Sequence, residues 1–151
     1  MKYFTINELT KSATATRMGI DNTPSQEVKN NLTALVDNIL DPLRKAWGKP
    51  IRVSSGYRCP ALNKAVKGST SSQHMKGEAA DITSINDSFA DNAKLLKLLL
   101  ASGLKFDQVI CEEPNAKGEP SWIHVSYKRF GANRGQKLTC RKGKYYSGIN
   151  L

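Results

Sequence analysis

The sequence predicts an α+β fold, with a small, mostly antiparallel sheet and two main helices. Two long stretches have apolar residues at helical spacing, and four or five short segments alternate as strands do. These two kinds of segment do not alternate regularly along the chain, which favours α+β over a parallel α/β fold. The 151 residues contain no internal repeat and no linker, so we expect one domain covering residues 1–151.

The first main helix is expected to begin in the segment Thr23-Pro24-Ser25-Gln26. Thr23 is a favourable N-cap, and Pro24 suits the first helical position. A helical repeat of apolar residues follows at Val28, Leu32, Leu35, Val36, Ile39, Leu40, Leu43 and Trp47. Pro42 is expected to kink or interrupt this helix, and residues 48–50 to end it.

The second main helix is expected to follow the capping segment 86–88 and to end at Gly103. Short strands are predicted at 51–54, 79–82, 106–111 and 122–127, with a further edge strand at 136–140. Residues 11–22 are expected to be irregular, and the tail from Arg141 to Leu151 is weakly patterned.

The net charge is +10, which favours a polyanionic partner. An anionic cell wall is the preferred partner, although a solvated basic face would have the same composition. No helix-turn-helix, zinc-finger or aromatic RNA-binding pattern accompanies the charge, so nucleic-acid binding is the weaker hypothesis.

No apolar run approaches bilayer length, so we expect no membrane partner. The first residues lack the apolar core of a secretory signal, so we expect synthesis in the cytoplasm and, for any action outside, another route of release.

The three cysteines cannot all pair and are expected to be reduced thiols. Cys111 is the one whose distance from the site matters, because it precedes Glu112.

His74, Asp81 and His124 are the candidate metal ligands. The chain has only two histidines, and Asp81 follows the first of them by seven positions. Two imidazoles and a carboxylate are a ligand set that a catalytic zinc uses, with a fourth position left for water. Spacing alone also allows the interpretation that these histidines are ordinary packed residues, so the pattern by itself is a weak signal.

Several short sequences in fixed order carry a resemblance to a known family. They are Ser54-Ser55-Gly56-Tyr57-Arg58, Ser72-Gln73-His74, Gly77-Glu78-Ala79-Ala80-Asp81-Ile82, Phe106-Asp107-Gln108-Val109-Ile110 and Trp122-Ile123-His124-Val125-Ser126. Together they resemble the zinc D-Ala-D-Ala carboxypeptidase family of peptidoglycan peptidases, whose fold is similar to that of the hedgehog signalling domain. The resemblance extends from about Phe4 to Arg134.

The resemblance implies that His74, Asp81 and His124 bind zinc and that a glutamate acts as general base. Family members with a Glu-x-x-His sequence place this base three residues before the last histidine, where this chain has Ser121. Glu112 and Glu119 are the two remaining candidates. The hedgehog-like pattern, with its glutamate after a Phe-Asp-type strand, favours Glu112.

Arg58 is the candidate for binding a substrate carboxylate or polarising the scissile carbonyl, a role that the resemblance also implies. A surface arginine at a helix entry is the alternative interpretation. Ser72 and Gln73 are expected to line the site, and Trp122 to contact the peptide, although Trp122 and Tyr57 would serve equally well in the core.

The expected function is zinc-dependent hydrolysis of peptidoglycan stem peptides, with carboxypeptidase and endopeptidase action both open. The resemblance, the basic charge and the missing signal suggest a monomeric phage or prophage lysin, or else a cytoplasmic enzyme that trims wall precursors. The alternative is a zinc-containing binding or structural module without catalysis, which the serine at position 121 keeps open.

Overall fold

The chain folds as α+β, as the sequence predicts, with a six-stranded sheet and the main helices on one of its faces. The computed structural model describes residues 1–151. The helices are α1 (Ile6–Thr10), α2 (Ala13–Met18), α3 (Gln26–Leu35), α4 (Asp41–Trp47), α5 (Pro60–Ala65) and α6 (Phe89–Ala101). The strands are β1 (Ile51–Ser55), β2 (Ala79–Ser84), β3 (Gln108–Glu112), β4 (Trp122–Ser126), β5 (Gln136–Arg141) and β6 (Lys144–Ser147). None of the helices combines the length and apolar character needed to cross a bilayer.

The first main helical segment starts later than the sequence suggests. Ser25, not Thr23, is the N-cap, and its hydroxyl accepts the N–H of Val28 at 3.2 Å. The hydroxyl of Thr23 instead donates to the carboxylate of Asp21, which keeps Thr23 in the preceding turn. The prediction of Thr23 as cap was therefore wrong by two residues, because a nearer serine competes for the same role.

The interruption expected near Pro42 takes the form of a π-helical turn (Val36–Leu40) between α3 and α4. In this turn the N–H of Asp41 bonds the carbonyl of Val36, five residues back. Proline lacks an N–H, so a local change from the i−4 bonding pattern just before it lets the helix continue. The apolar stripe stays on one side and remains buried through Leu43.

The strand order is β1-β2-β4-β3-β5-β6, and every neighbouring pair is antiparallel except β3 and β5. The tail that the sequence left without a pattern forms β6, which was a missed element. A two-residue turn joins it to β5, with φ of 51° at Lys142 and 75° at Gly143. Two consecutive positive φ values are typical of the turns that close tight hairpins.

The two faces of the sheet have different roles. On one face Ile82, Val109, Cys111, Ile123 and Val125 pack into a core with the apolar sides of α3, α4 and α6. Because side chains alternate along a strand, the residues between them project to the opposite face. That second face carries the polar residues described next.

Candidate metal centre and active-site cleft

Strand pairing places two of the predicted metal ligands side by side. Asp81 on β2 pairs with His124 on β4, and Ile110 on β3 lies on the other side of His124. Directly paired residues project their side chains to the same face, which here is the face away from the core. Nδ1 of His124 consequently lies 3.3 Å from Oδ1 of Asp81.

His74 reaches the same point from a 3-10 helical turn (Gln73–Lys76) that precedes β2. Its Nδ1 lies 2.7 Å from the carbonyl oxygen of Gly56, so Nδ1 carries the proton and donates. Nε2 then has a free lone pair, and it lies 3.3 Å from Oδ1 of Asp81. Gly56 itself lies so close to the backbone of Leu9 that no side chain would fit there.

These donors fit a divalent metal. The ligand atoms of His74, Asp81 and His124 all lie within 4.8 Å of one another. The lone pair of His74 Nε2 faces a carboxylate oxygen, and two acceptors so close repel each other unless a cation or a proton lies between them. Two imidazoles and one carboxylate match the three-ligand sets of catalytic zinc, in which the fourth position is left open.

The electrostatics of Asp81 also favour the ionised form that a metal ligand needs. Burial by itself raises the pKa of this carboxyl, but the charges and hydrogen bonds of His74 and His124 outweigh burial and hold the pKa well below its usual range. Asp81 is thus an anion at neutral pH.

Glu112 ends β3 on the same face as the three ligands. It pairs with Trp122 on β4 and with Cys140 on β5, two residues along β3 from Ile110, the partner of His124. Burial raises the pKa of Glu112 to about 7, and the nearby Asp81 carboxylate adds to the rise. A carboxylate with a pKa near neutrality is well suited to accept and return a proton.

The other two glutamates of this region are bonded within neighbouring turns. Glu113 accepts hydrogen bonds from backbone N–H groups of the β5–β6 turn, the shorter at 2.7 Å. Glu119 accepts from the side chain of Asn115 at 3.0 Å and does not line the cleft. Ser121, three residues before His124, donates its hydroxyl to the carbonyl of Glu113 at 2.7 Å. Among these residues only Glu112 reaches the cleft.

Arg58 is joined to the metal centre through both its backbone and its side chain. Its backbone N–H donates to the carbonyl of His74 at 3.0 Å, and its Nη2 donates to Oγ of Ser72 at 3.3 Å. Burial lowers the pKa of Arg58, and the charge of Asp81 offsets part of that effect. Its Nε is buried without a hydrogen-bond partner, so the guanidinium keeps donor capacity for a ligand.

A cleft of about 730 Å³ opens over these groups. Apart from Glu119, the residues that the sequence indicated for the site line it, namely Arg58, Ser72, Gln73, His74, Asp81, Glu112, Trp122 and His124. Tyr57, the other aromatic considered, is buried in the core. The structure therefore brings the predicted residues together from β2, β3, β4 and the two turns beside them.

The far wall of the cleft consists of residues that the sequence did not indicate. Lys128, Arg134, Gln136, Leu138 and Tyr145 also line it. Three of them lie on β5 and β6. On β5, Leu138 pairs with Ile110, the partner of His124, and Cys140 pairs with Glu112. The alternation over 136–140 indicated a strand, but nothing local in the sequence indicated that this strand pairs with β3.

Cys140, rather than Cys111, is the cysteine on the site's face of the sheet. Cys111 follows Ile110 and so turns into the core, whereas Cys140 pairs with Glu112. Burial raises the pKa of each thiol to about 11, so neither is a thiolate near neutral pH. All three cysteines are free.

Comparison with known proteins agrees with this geometry. A search of curated proteins finds no significant match. A family model described as Peptidase M15 matches residues 2–126, which include every residue predicted for the site. This match covers most of the chain and agrees with the zinc-peptidase resemblance carried by its motifs. The chain belongs to the Peptidase M15 family of metallopeptidases.

Proposed function

We propose that this protein is a zinc-dependent hydrolase of peptide bonds in peptidoglycan stem peptides or closely similar D-amino-acid peptides. One observation carries the proposal. The His74–Asp81–His124 set, the carboxylate of Glu112 and the guanidinium of Arg58 line one open cleft. Hydrolysis of a peptide bond needs a metal site with room for water, a base and a group that stabilises negative charge.

In this proposal the three ligands hold zinc, which when bound acidifies water and polarises a carbonyl. Glu112 accepts a proton from the attacking water and returns it to the leaving amine, because its place on β3 is next to the ligand strand and its burial favours the protonated state. Arg58 donates to the oxygen that gains charge or to a substrate carboxylate.

Ser72, Gln73 and Trp122 supply the contacts that hold the peptide. Ser72 is held in place because its Oγ accepts from both Arg58 and the N–H of His74. Trp122 is the β4 partner of Glu112 and is only partly buried, so its ring presents an apolar surface to the cleft. Fixed donors beside an aromatic surface are suited to an extended peptide.

The net charge of +10 supports an anionic cell wall as the surface on which the enzyme acts. We include in the proposal that the chain acts as a monomer and as a phage or prophage lysin, released to the wall by other means. A non-catalytic zinc module of the same fold is the competing hypothesis, since position 121 is serine. The position of Glu112 favours the enzyme, because a base can come from β3 instead.

The test digests purified peptidoglycan with the protein, with the protein plus chelator, and with the chelated protein after zinc is restored. Mass spectrometry identifies the fragments and so separates release of a terminal residue from internal cleavage. We expect fragments that disappear with chelator and return with zinc. Fragments that persist in chelator, or a fully zinc-loaded protein that releases none, would refute the proposal.

A further inference from the structure

Asp107 is a fully buried carboxylate beside the cleft, with most of its partners on the cleft wall. It accepts hydrogen bonds from Nε of Arg134 at 3.0 Å, from Nη2 of Arg134 at 2.8 Å and from Nε2 of Gln73 at 2.9 Å. This two-point pairing fixes the plane of the guanidinium. Gln73 precedes the ligand His74, so the same carboxylate connects the metal centre to the far wall.

A short loop brings a second cation to the same carboxylate. The N–H of Lys128 donates to the side chain of Asn133 at 2.8 Å, and that side chain donates back to the carbonyl of Lys128 at 3.1 Å. This reciprocal pair closes the loop between β4 and β5. Nζ of Lys128 therefore lies 3.9 Å from Asp107, on the same carboxylate as Arg134.

The charges at this place do not cancel. Lys128 and Arg134 share the single negative charge of Asp107, and their side chains stay 36% and 49% exposed at the cleft. Glu78 and Lys76 also line this region; the carboxylate of Glu78 is attracted to both Lys76 and Lys128, and together Glu78 and Lys76 add one negative and one positive charge. A net positive charge remains, with donor capacity on the lysine ammonium and on the exposed edge of the guanidinium.

The positive charge of Lys128 and Arg134 lies a short distance along the sheet from the candidate metal centre. Gln108 follows Asp107 and pairs with Ser126 and Gln136, at one end of the rows that contain His124. Gln108 lies two residues, roughly 7 Å, along β3 from Ile110, the partner of His124. Two residues of an extended peptide span the same distance. Glu112 and Trp122 form the pair at the other end of the β3–β4 ladder.

We propose that Lys128 and Arg134, fixed over Asp107, form a subsite for a carboxylate of the substrate, about two residues from the bond that is cleaved. This inference rests on the proposed function and names a substrate feature for the same cleft. Both cations follow residue 126, so they lie beyond the part of the chain that the family model matches. A single carboxylate matches the single residual charge.

The experiment measures binding of a synthetic stem peptide to the zinc-loaded Glu112→Gln protein, which is expected to bind without cleaving. Three peptides are compared by calorimetry: the free acid, the C-terminal carboxamide and the form whose glutamyl carboxylate is amidated. The last two distinguish a terminal carboxylate from a side-chain one. Binding of each peptide is measured to this protein and to two double variants, one that also carries Lys128→Gln and one that also carries Lys97→Gln. The Lys97→Gln variant is the control, because Lys97 is an exposed lysine on α6 outside the cleft.

We expect one amidated form to bind roughly tenfold more weakly than the free acid. Lys128→Gln should remove this preference, whereas Lys97→Gln should keep it. An equal affinity for all three peptides, or a preference that survives Lys128→Gln, would overturn the subsite while leaving the proposed function intact. Failure of every peptide to bind would overturn both.

Discussion

Replacing Asp107 by Asn should lower the stability of the protein by about 2–3 kcal/mol at neutral pH. Burial by itself raises the pKa of Asp107, but the hydrogen bonds from Arg134 and Gln73 outweigh it and hold the pKa at about 2. Against an ordinary value near 3.9, this difference corresponds to about 2.6 kcal/mol. Arg134 is half exposed, so water can replace some of its bonds and the loss should stay below that of a fully buried pair.

The pH dependence follows from the lowered pKa. The stabilisation by Asp107 is fully present above the unfolded-state value and is lost as the pH falls towards about 2. The difference between the two proteins should therefore be constant from pH 7 to pH 5 and fall to about half at pH 3.

Urea denaturation at pH 7, 5 and 3 measures this difference, with chelator present throughout so that metal release does not contribute. Asp37→Asn is a suitable control because Asp37 pairs only with the exposed N-terminal ammonium, and it should leave the stability nearly unchanged. A difference for Asp107→Asn below about 1 kcal/mol at pH 7, or one that is undiminished at pH 3, would refute this account of the site.

Three further predictions concern the chemistry. Glu112→Gln should lower kcat by about 10²- to 10⁴-fold without loss of zinc, whereas Glu119→Gln should change it less than about threefold; comparable losses for both would reject Glu112 as the base. Asp81→Ala should abolish stoichiometric zinc binding, measured by elemental analysis after dialysis, and a variant that keeps zinc would remove Asp81 from the ligand set. Arg58→Lys should lower kcat/KM by roughly 10- to 100-fold, because a lysine keeps the charge but loses the fork of donors. Steady-state rates equal to those of the wild type would assign Arg58 a structural role.

The elements with strong periodicity could be predicted from the sequence. The apolar stripe from Val28 to Trp47 and the alternation at 122–127 depend only on local spacing, and both appear in the structure. Helix α2, in contrast, lies in a segment expected to be irregular. It has few large apolar residues and is instead delimited by the Ser12 cap and by Gly19 in the left-handed conformation.

The candidate metal centre could be located from the sequence because few residues in this chain can bind zinc, and the structure brings the three candidate ligands together. The chain has two histidines, and the motifs around them fixed the choice of aspartate. The far wall could not be predicted in the same way, because it depends on the parallel pairing of β3 with β5. The link from Gln73 through Asp107 to Arg134 joins residues far apart in the chain, and no local pattern indicates it.

The β5–β6 hairpin forms a wall of the cleft whose residues can be substituted separately from the candidate metal ligands. It joins the sheet along β3 and provides Gln136, Leu138 and Tyr145 to the cleft, but none of the three candidate metal ligands or the candidate base. Substitutions in this hairpin can therefore change which peptides the cleft admits without altering metal affinity. Engineering of substrate range can begin there, with zinc content as the check that the candidate metal centre is intact.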